Sequence, residues 1–189
     1  MKDRAILKPN AVLFDGVIGN VQVSLVKSLQ WLNYAFGGAY KLVERTEKGK
    51  FITPSVYYKD KDYLRLEPND KYGNTCFFYI HDSQDYEDNG AFGFGDLKGE
   101  VSIIFWFDTR TIPGAEGYNV EFVKQRILRA LTHELELSYG GLNVKRIFND
   151  AKNVYDGFSI EKTDNQFYVY PYACLRFVCD IVAPEACYP

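Results

Sequence analysis

The chain has 189 residues, of which 47% are hydrophobic and 25% are charged, and its formal net charge is −3 at pH 7. This balance is typical of a folded globular protein and excludes an intrinsically disordered chain. The mild acidity argues against a broad basic surface for nucleic acid, because phosphate binding needs clustered lysine and arginine. We therefore expect a single folded domain over residues 1–189.

The N-terminal segment does not have the pattern of a targeting signal. Its most apolar run contains Asp15, whereas a signal peptide needs a clean apolar core. No stretch approaches the roughly 18 consecutive apolar residues that a membrane helix requires. We expect the protein to remain in the compartment where it is made, with no membrane partner.

The first predicted element is a helix at about residues 20–37. Asn20 is placed to cap its start, and the pair Gly37 and Gly38 to end it. Apolar side chains recur at helical spacing and would form its buried stripe, namely Leu25, Leu29, Leu32 and Phe36.

The sheet and a second helix are predicted at about residues 50–187. The stretches "KGKFITPSVYYKD" and "DYLRLEP" predict two short strands, and the apolar and aromatic "GNTCFFYIHD" predicts a third. Residues 82–99 are acidic and rich in glycine, which predicts a long loop between this strand and the next.

The 82–99 loop comes close to the spacing of a calcium-binding loop. Counted from Asp85, the third, fifth, sixth and twelfth positions are Glu87, Asn89, Gly90 and Asp96. The calcium pattern prefers Asp or Asn at the third position, Glu at the twelfth and a helix before the loop. Because the sequence departs from it at all three points, we favour a loop whose charges are simply solvated.

The strongest strand signal is "EVSIIFWFDTRTI". Its apolar residues alternate between two faces, with Val101, Ile103, Phe105 and Phe107 on one and Ile104 and Trp106 on the other. Apolar residues on both faces predict a central strand that is covered on both sides.

A second helix is predicted to start after Asn119, its N-cap, and to end at Tyr139 and Gly140. Its buried stripe would be Val120, Val123, Ile127, Leu131 and Leu135.

This helix contains His133 and Glu134, the first two residues of the zinc-protease motif H-E-x-x-H. The second histidine would stand at position 137, which is leucine, and the only other histidine of the chain is His81. The motif therefore fails, and His133 is expected on the exposed face near the helix end, without a catalytic role.

The four cysteines do not form a C-x-x-C pair, which excludes the usual zinc-ribbon and thioredoxin patterns. Cys76 lies in an apolar strand and is expected to be structural. Cys179 and Cys174 are predicted on opposite faces of the last strand, so the two thiols cannot easily share one metal. The fourth is Cys187.

The remaining chain predicts a strand at "NVKRIFND" and a final strand within "FYVYPYACLRFVCDIVAPEACYP". The strand–helix–strand order of residues 101–148 is compatible with one crossover unit. The expected class is α+β, with a mixed, largely antiparallel sheet and two main helices packed on it.

Three parts of the chain, in the order in which they occur, also resemble a known group of proteins. They are "VSIIFWFDTR", the helix that follows, and "YPYACLRFVCDIVAPEAC" with its Pro-Tyr-x-x-hydrophobic-Arg-Phe pattern. Together they resemble small virion proteins of tailed phages and prophages of Bacteroidetes-type gut bacteria, over about residues 50–187. In those phages such proteins look like neck rings, either head–tail connector subunits of the crAss-like type or relatives of tail terminators.

The resemblance implies a tail-terminator-like fold and a structural virion protein rather than an enzyme. Its subunits would form a homo-oligomeric ring, contact other neck, portal or tail proteins, and let DNA pass through the channel without specific binding. The 82–99 loop and residues 37–50 would reach adjacent subunits. The protein would be located in the virion after assembly in the cytoplasm of the bacterial host. No catalytic, cofactor-binding or metal-ligating residue follows from it.

Two alternatives use the 82–99 acidic loop. One is a metal-dependent hydrolase in which His81, directly after the third predicted strand, acts with the loop carboxylates. The other is a calcium- or carbohydrate-binding module that uses the same loop.

Overall fold

A computed structural model describes residues 4–47, 49–59, 62–88, 95–159 and 165–185 of the chain. These ranges contain eight strands: β1 Ala5–Ile6, β2 Tyr34–Thr46, β3 Gly49–Lys59, β4 Asp62–Arg65, β5 Thr75–Asp88, β6 Gly95–Asp108, β7 Gly141–Phe148 and β8 Tyr172–Pro184. Their helices are α1 Leu13–Ser28, α2 Val120–Thr132 and α3 Ala151–Val154, with short 3-10 helices at Thr109–Thr111 and Asn165–Tyr168.

The strands form a mixed sheet in the order β4-β3-β2-β5-β6-β8-β7, with β1 paired to β2. The β1–β2 and β2–β5 pairings are parallel, and the other five are antiparallel. This confirms the α+β class with a largely antiparallel sheet. Strands β6 and β7 run in the same direction on either side of β8, so the predicted crossover is present with β8 between its strands.

The central part of the sheet is covered on both faces. One face carries α1 and α2, which pack on the side chains of β6 at positions 101, 103, 105 and 107. The opposite face carries Ile104 and Trp106 and is covered by α3 and the aromatic residues around it. The two faces of β6 are therefore occupied as its alternation predicts.

Helix α1 begins seven residues before the predicted start. Its buried face repeats at helical spacing through Phe14, Val17, Ile18, Val21 and Leu25. Asn20 lies inside the helix, where its side chain donates a hydrogen bond to the Gly16 carbonyl, so its prediction as the N-cap was wrong. The helix ends at Ser28, so Leu29, Leu32 and Phe36 are buried as predicted but lie beyond the helix, and the pair at 37 and 38 lies in β2 rather than at a helix end.

A close contact explains why a glycine, which is a poor helix former, stands near the start of α1. A Cβ atom at Gly16 would lie 1.8 Å from the hydroxyl oxygen of Tyr139, which crosses the helix at this point. Only glycine admits that contact without a shift, although glycine is a poor helix former.

Helix α2 starts as predicted but ends earlier. The Asn119 side chain accepts a hydrogen bond from the Phe122 amide and caps the helix. The helix ends at Thr132, and Leu135, Leu137 and Tyr139 then pack against the core from an irregular segment. The predicted end at Tyr139 was wrong, because these three residues alternate with polar ones at a period of two rather than at helical spacing.

The 82–99 segment is not a loop in its described residues. Residues 82–88 continue β5 and residues 95–99 begin β6, and the two pair from Gln84 opposite Gly99 to Asp88 opposite Gly95. We call residues 82–88 and 95–99 the acidic arm. A second hairpin is formed by β2 and β3, which pair from Ala39 opposite Val56 to Thr46 opposite Gly49.

Strands β2 and β5 are parallel, so the two hairpins project from the same end of the sheet. Their pairing ends at Gly38 opposite Phe78, and beyond this point the strands diverge. Among the described residues, no helix is long and apolar enough to cross a membrane.

Candidate functional site

The acidic arm does not bring its carboxylates together as a calcium loop would. Asp85 lies opposite Lys98 in the ladder, and Glu87 lies opposite Asp96. Glu87 forms an ion pair with Lys98, which neutralises part of this face. Asn89 and Gly90, the other two positions of the calcium pattern, lie outside the described residues. The part of the chain that the structure describes has no group of three or more His, Cys, Asp or Glu residues that could hold a metal ion.

His81 lies at an irregularity of β5, next to the acidic arm. The ladder register shifts between Ile80 and Gln84, which places residues 81–83 opposite Glu100. The His81 ring lies 2.9 Å from the hydroxyl of Ser102 through Nε2, and 3.7 Å from Glu100 through Nδ1. His81 thus contacts Ser102 and Glu100 of β6, and it also lines a cleft with Asp82 and Asp85 of the acidic arm.

The centre of this site is Arg176, a buried guanidinium in the middle of β8. Only 4% of the residue is exposed. Its Nε donates to the Ser102 hydroxyl at 2.8 Å, and its Nη1 donates to the Asn153 carbonyl at 3.0 Å. Asp156 lies 3.8 Å from Nη1 and is mostly exposed. Arg176 thus ties β8 to β6 and to the chain segment that contains α3. We call Arg176, Ser102, His81 and Glu100 the arginine cluster.

The donors and acceptors of the arginine cluster fix the direction of each hydrogen bond. An arginine only donates, so the Ser102 oxygen accepts from Arg176. Arg176 Nη2 also lies 3.4 Å from His81 Nε2 and can only donate, so Nε2 is the unprotonated acceptor, and the Ser102 hydroxyl can donate to it as well. The remaining ring proton lies on Nδ1, which faces Glu100. The neutral Nδ1–H tautomer of His81 satisfies all of these contacts.

The electrostatic surroundings of His81 oppose its protonation. Burial lowers the pKa of His81 below its usual value of 6.5; the Glu100 carboxylate acts in the opposite direction, and the charges of Arg176 and Arg146 lower it further. Burial also lowers the pKa of Arg176. Arginine remains charged in proteins because its ordinary pKa is so high.

The order serine, histidine, glutamate is that of a hydrolase triad, but the geometry does not support catalysis. A nucleophilic hydroxyl must reach a substrate carbon and be free for attack. Ser102 has no exposed surface, and its oxygen already accepts from Arg176. The Nδ1-to-Glu100 distance of 3.7 Å is also longer than a hydrogen bond. The cluster is therefore suited to holding the sheet and its cover together.

The other residues singled out in the sequence lie far from any common site. His133 is exposed at the end of α2, as predicted, and its Nδ1 lies 2.6 Å from the Thr132 hydroxyl. Glu134 pairs with Arg129. Both residues therefore make only local contacts with the end of α2.

The three described cysteines are buried and free. Cys76 and Cys179 lie in the core under α1 and α2, whereas Cys174 lies on the other face, as predicted. Burial raises the pKa of Cys174 and Cys179 to about 12, and that of Cys76 further. These thiols are structural, because the reactive thiolate is suppressed. Cys187 lies outside the described residues.

The β2–β3–β4 hairpin region exposes aromatic and aliphatic side chains on one face. Tyr40, Leu42 and Tyr63 are each 41–52% exposed. Tyr63 packs edge-on against both Tyr40 and Tyr57, with ring centroids 5.8 and 6.1 Å apart. Tilted rings do not make a flat platform for a sugar or a base. Apolar residues of this kind are more typical of a protein contact.

No protein-family model matches the chain, and no curated protein matches it.

Proposed function

We propose that this chain is a structural subunit that assembles into a homo-oligomeric ring, as the neck, head–tail connector or tail-terminator proteins of tailed bacteriophages do. The observation that carries the proposal is the acidic arm. All seven residues from 82 to 88 are exposed, although they form a strand. They form an edge of the sheet, because within the described residues β5 pairs here only with β6, whose residues 96–99 pair in turn with β8. An exposed edge strand offers unpaired main-chain groups to a partner. An arm of this kind is suited to docking on a neighbouring subunit.

The second hairpin supports the same role. It carries the exposed residues Tyr40 and Leu42, with Tyr63 of the adjacent β4 beside them, and it projects from the same end of the sheet as the acidic arm. Exposed tyrosines and leucines of this kind are enriched where protein surfaces meet. Two projecting hairpins on one rigid sheet provide two separate regions for contact with other copies or with other neck, portal and tail proteins.

The chemistry of the described residues also supports a structural role. The one serine–histidine–carboxylate arrangement that we identify has a buried, occupied hydroxyl, and the described thiols are buried. The net charge of −3 suits a channel subunit that lets DNA pass without gripping it.

The assembly state tests the proposal directly. We expect native mass spectrometry of the purified chain to show a closed multiple of its 21.8 kDa mass, and negative-stain images to show rings. Chelation of divalent metals should leave this assembly unchanged. A strictly monomeric chain over the whole accessible concentration range, both alone and with candidate neck proteins, would contradict the proposal.

A further inference from the structure

Two strand edges are open at opposite sides of the same sheet. Strand β7 is the last strand in the order and, within the described residues, pairs with β8 alone. Strand β5 pairs with β2 only as far as Phe78, and beyond it pairs with β6 alone. Each edge therefore presents main-chain groups that can pair with a further strand.

The two open edges are compatible in length and direction. Strand β7 has eight residues. The open part of β5 covers residues 79–88. Since β5, β6, β8 and β7 alternate in direction, β7 runs antiparallel to β5. If the β7 of one copy adds to the β5 of the next, the pairing is antiparallel, like that of β5 with β6, and it contains the irregularities at residues 81–83 and at Lys145.

The charges of the two edges are opposite. Residues 82–88 contain four acidic and no basic residues: Asp82, Asp85, Glu87 and Asp88. Residues 141–148 contain Lys145 and Arg146 and no acidic residue. Lys145 pairs with Asp180, and Arg146 with Glu100, within the same chain. The side chains of Lys145 and Arg146 are 49% and 59% exposed, and such exposed pairs contribute little stability. They can be exchanged for carboxylates of a neighbour.

The space beside β5 is open where a strand would enter. Strands β2 and β5 diverge after Gly38, and the cleft between them is lined by Tyr40, Lys41, His81 and Asp82 among others. The exposure of residues 82–88 shows that the body of the protein leaves this part of β5 uncovered.

From these observations we infer that the ring contact is formed by strand addition, in which β7 of one copy pairs with residues 79–88 of β5 in the next copy. This inference rests on the proposed function and names the surfaces that it uses. The contact joins two different surfaces of identical chains, and head-to-tail contacts of this kind close into rings when the rotation permits.

Charge reversal on each edge tests the pairing. The first variant is Asp82→Lys with Asp85→Lys, and the second is Lys145→Glu with Arg146→Glu. Each variant alone places like charges at positions 82, 85, 145 and 146 of every contact, so we expect it to be monomeric at a concentration where the wild type is assembled. An equimolar mixture restores opposite charges at every contact. We expect it to assemble into rings with equal, alternating numbers of both variants, which native mass spectrometry distinguishes by mass.

The matched control is Glu116→Lys with Glu136→Lys, which changes the net charge by the same amount as the first variant. Both residues are exposed and lie in the segments before and after α2, outside the two edges and outside both hairpins. We expect this control to assemble like the wild type. If it disrupts the ring while both edge variants remain assembled, strand addition between β7 and β5 is wrong although ring formation stands. A wild type that is monomeric under all conditions contradicts both proposals.

Hydrogen exchange gives a second test that does not depend on the folding of any variant. We expect amides within residues 79–88 and 141–148 of the wild type to exchange more slowly above the assembly concentration than below it. Protection on assembly that is confined to other segments would overturn the inference.

Discussion

The Nε of Arg176 donates a hydrogen bond to the hydroxyl of Ser102 across 2.8 Å, between two neighbouring strands and out of contact with water. A charged group so deeply buried is costly unless its hydrogen bonds are satisfied. Arg176 also donates a hydrogen bond to the carbonyl of Asn153, and this bond holds the segment around α3 on the sheet.

Replacement of Arg176 by methionine tests this role. We expect the free energy of unfolding to fall by about 2–4 kcal/mol, because hydrogen bonds to a charged group are lost and their buried partners remain unsatisfied. Urea denaturation measures the change. Arg126→Met on the exposed face of α2 is the matched control, with an expected change within about 0.5 kcal/mol. Equal, small effects at both positions would show that the arginine cluster does not stabilise the fold.

The pH dependence of stability should reveal His81. Its pKa in the folded protein is lower than its ordinary value of 6.5, chiefly because of burial. The unfolded state therefore binds the proton more tightly than the folded state. The stabilisation from neutral His81 is complete above pH 6.5 and decreases as the pH falls through the folded pKa.

We expect the urea midpoint of the wild type to decrease between pH 7.5 and pH 5 more steeply than that of His81→Gln. Glutamine retains a hydrogen-bonding group near Ser102 but does not titrate. His133→Gln is the control, because that histidine is exposed. Parallel curves for the wild type and His81→Gln would exclude the histidine as the source of the pH dependence.

Two glycines of α1 should respond in opposite directions to alanine. Gly16→Ala places a Cβ within 1.8 Å of the Tyr139 hydroxyl and should destabilise the protein by about 1–3 kcal/mol. At Gly19 the nearest atom is a methyl of Leu7 at 3.8 Å, so Gly19→Ala should stabilise by up to about 1 kcal/mol through helix propensity. Thermal melting compares the two, and Tyr139→Phe should partly rescue Gly16→Ala. Similar effects at both glycines would contradict the close approach.

Calcium should not stabilise the protein. In the acidic arm, Glu87 is paired with Lys98, and the arm is a ladder rather than a calcium loop. We expect the melting temperature to be the same in millimolar calcium and in chelator. A calcium-dependent increase that disappears in the variant with alanine at positions 85, 87 and 96 would restore the calcium-binding hypothesis.

The parts of the fold that follow from local pattern were predictable. The alternation in β6 indicates which side chains lie on each face, and the same rule places Cys174 and Cys179 on opposite faces of β8. Asn119 is also the N-cap that its position before an apolar stripe indicates. In each case the decisive information lies within a few neighbouring residues.

The acidic arm could not be recognised because composition obscured its pairing. Aspartate and glycine are typical of loops, yet residues 84–88 pair with residues 95–99. The alternation of apolar and polar residues that would indicate a strand is weak here, because one face of the arm is acidic. Tyr86 lies opposite Leu97 in the ladder. This one apolar pair is the sequence feature that could have indicated that the two segments are paired strands.

The arginine cluster depends on tertiary structure that no local pattern encodes. Arg176 stands between Leu175 and Phe177 in an apolar strand, and that position is itself a sign of a buried charge in need of partners. Those partners come from β5, β6 and the segment around α3, at sequence separations of 23–95 residues. The sequence therefore indicates that a polar site is required, but not which residues complete it.

The pairing of β6 with β8 has a mechanical consequence. The two strands stay in register over thirteen residue pairs, from Asp108 opposite Tyr172 to Asp96 opposite Pro184. The acidic arm is thus the continuation of the longest ladder in the described sheet. A pull on the arm along the strand direction loads this ladder in shear, so its hydrogen bonds bear the force together rather than opening one after another. Strand β6 therefore transmits a force applied to the arm into the centre of the core, where side chains pack on both faces of this strand.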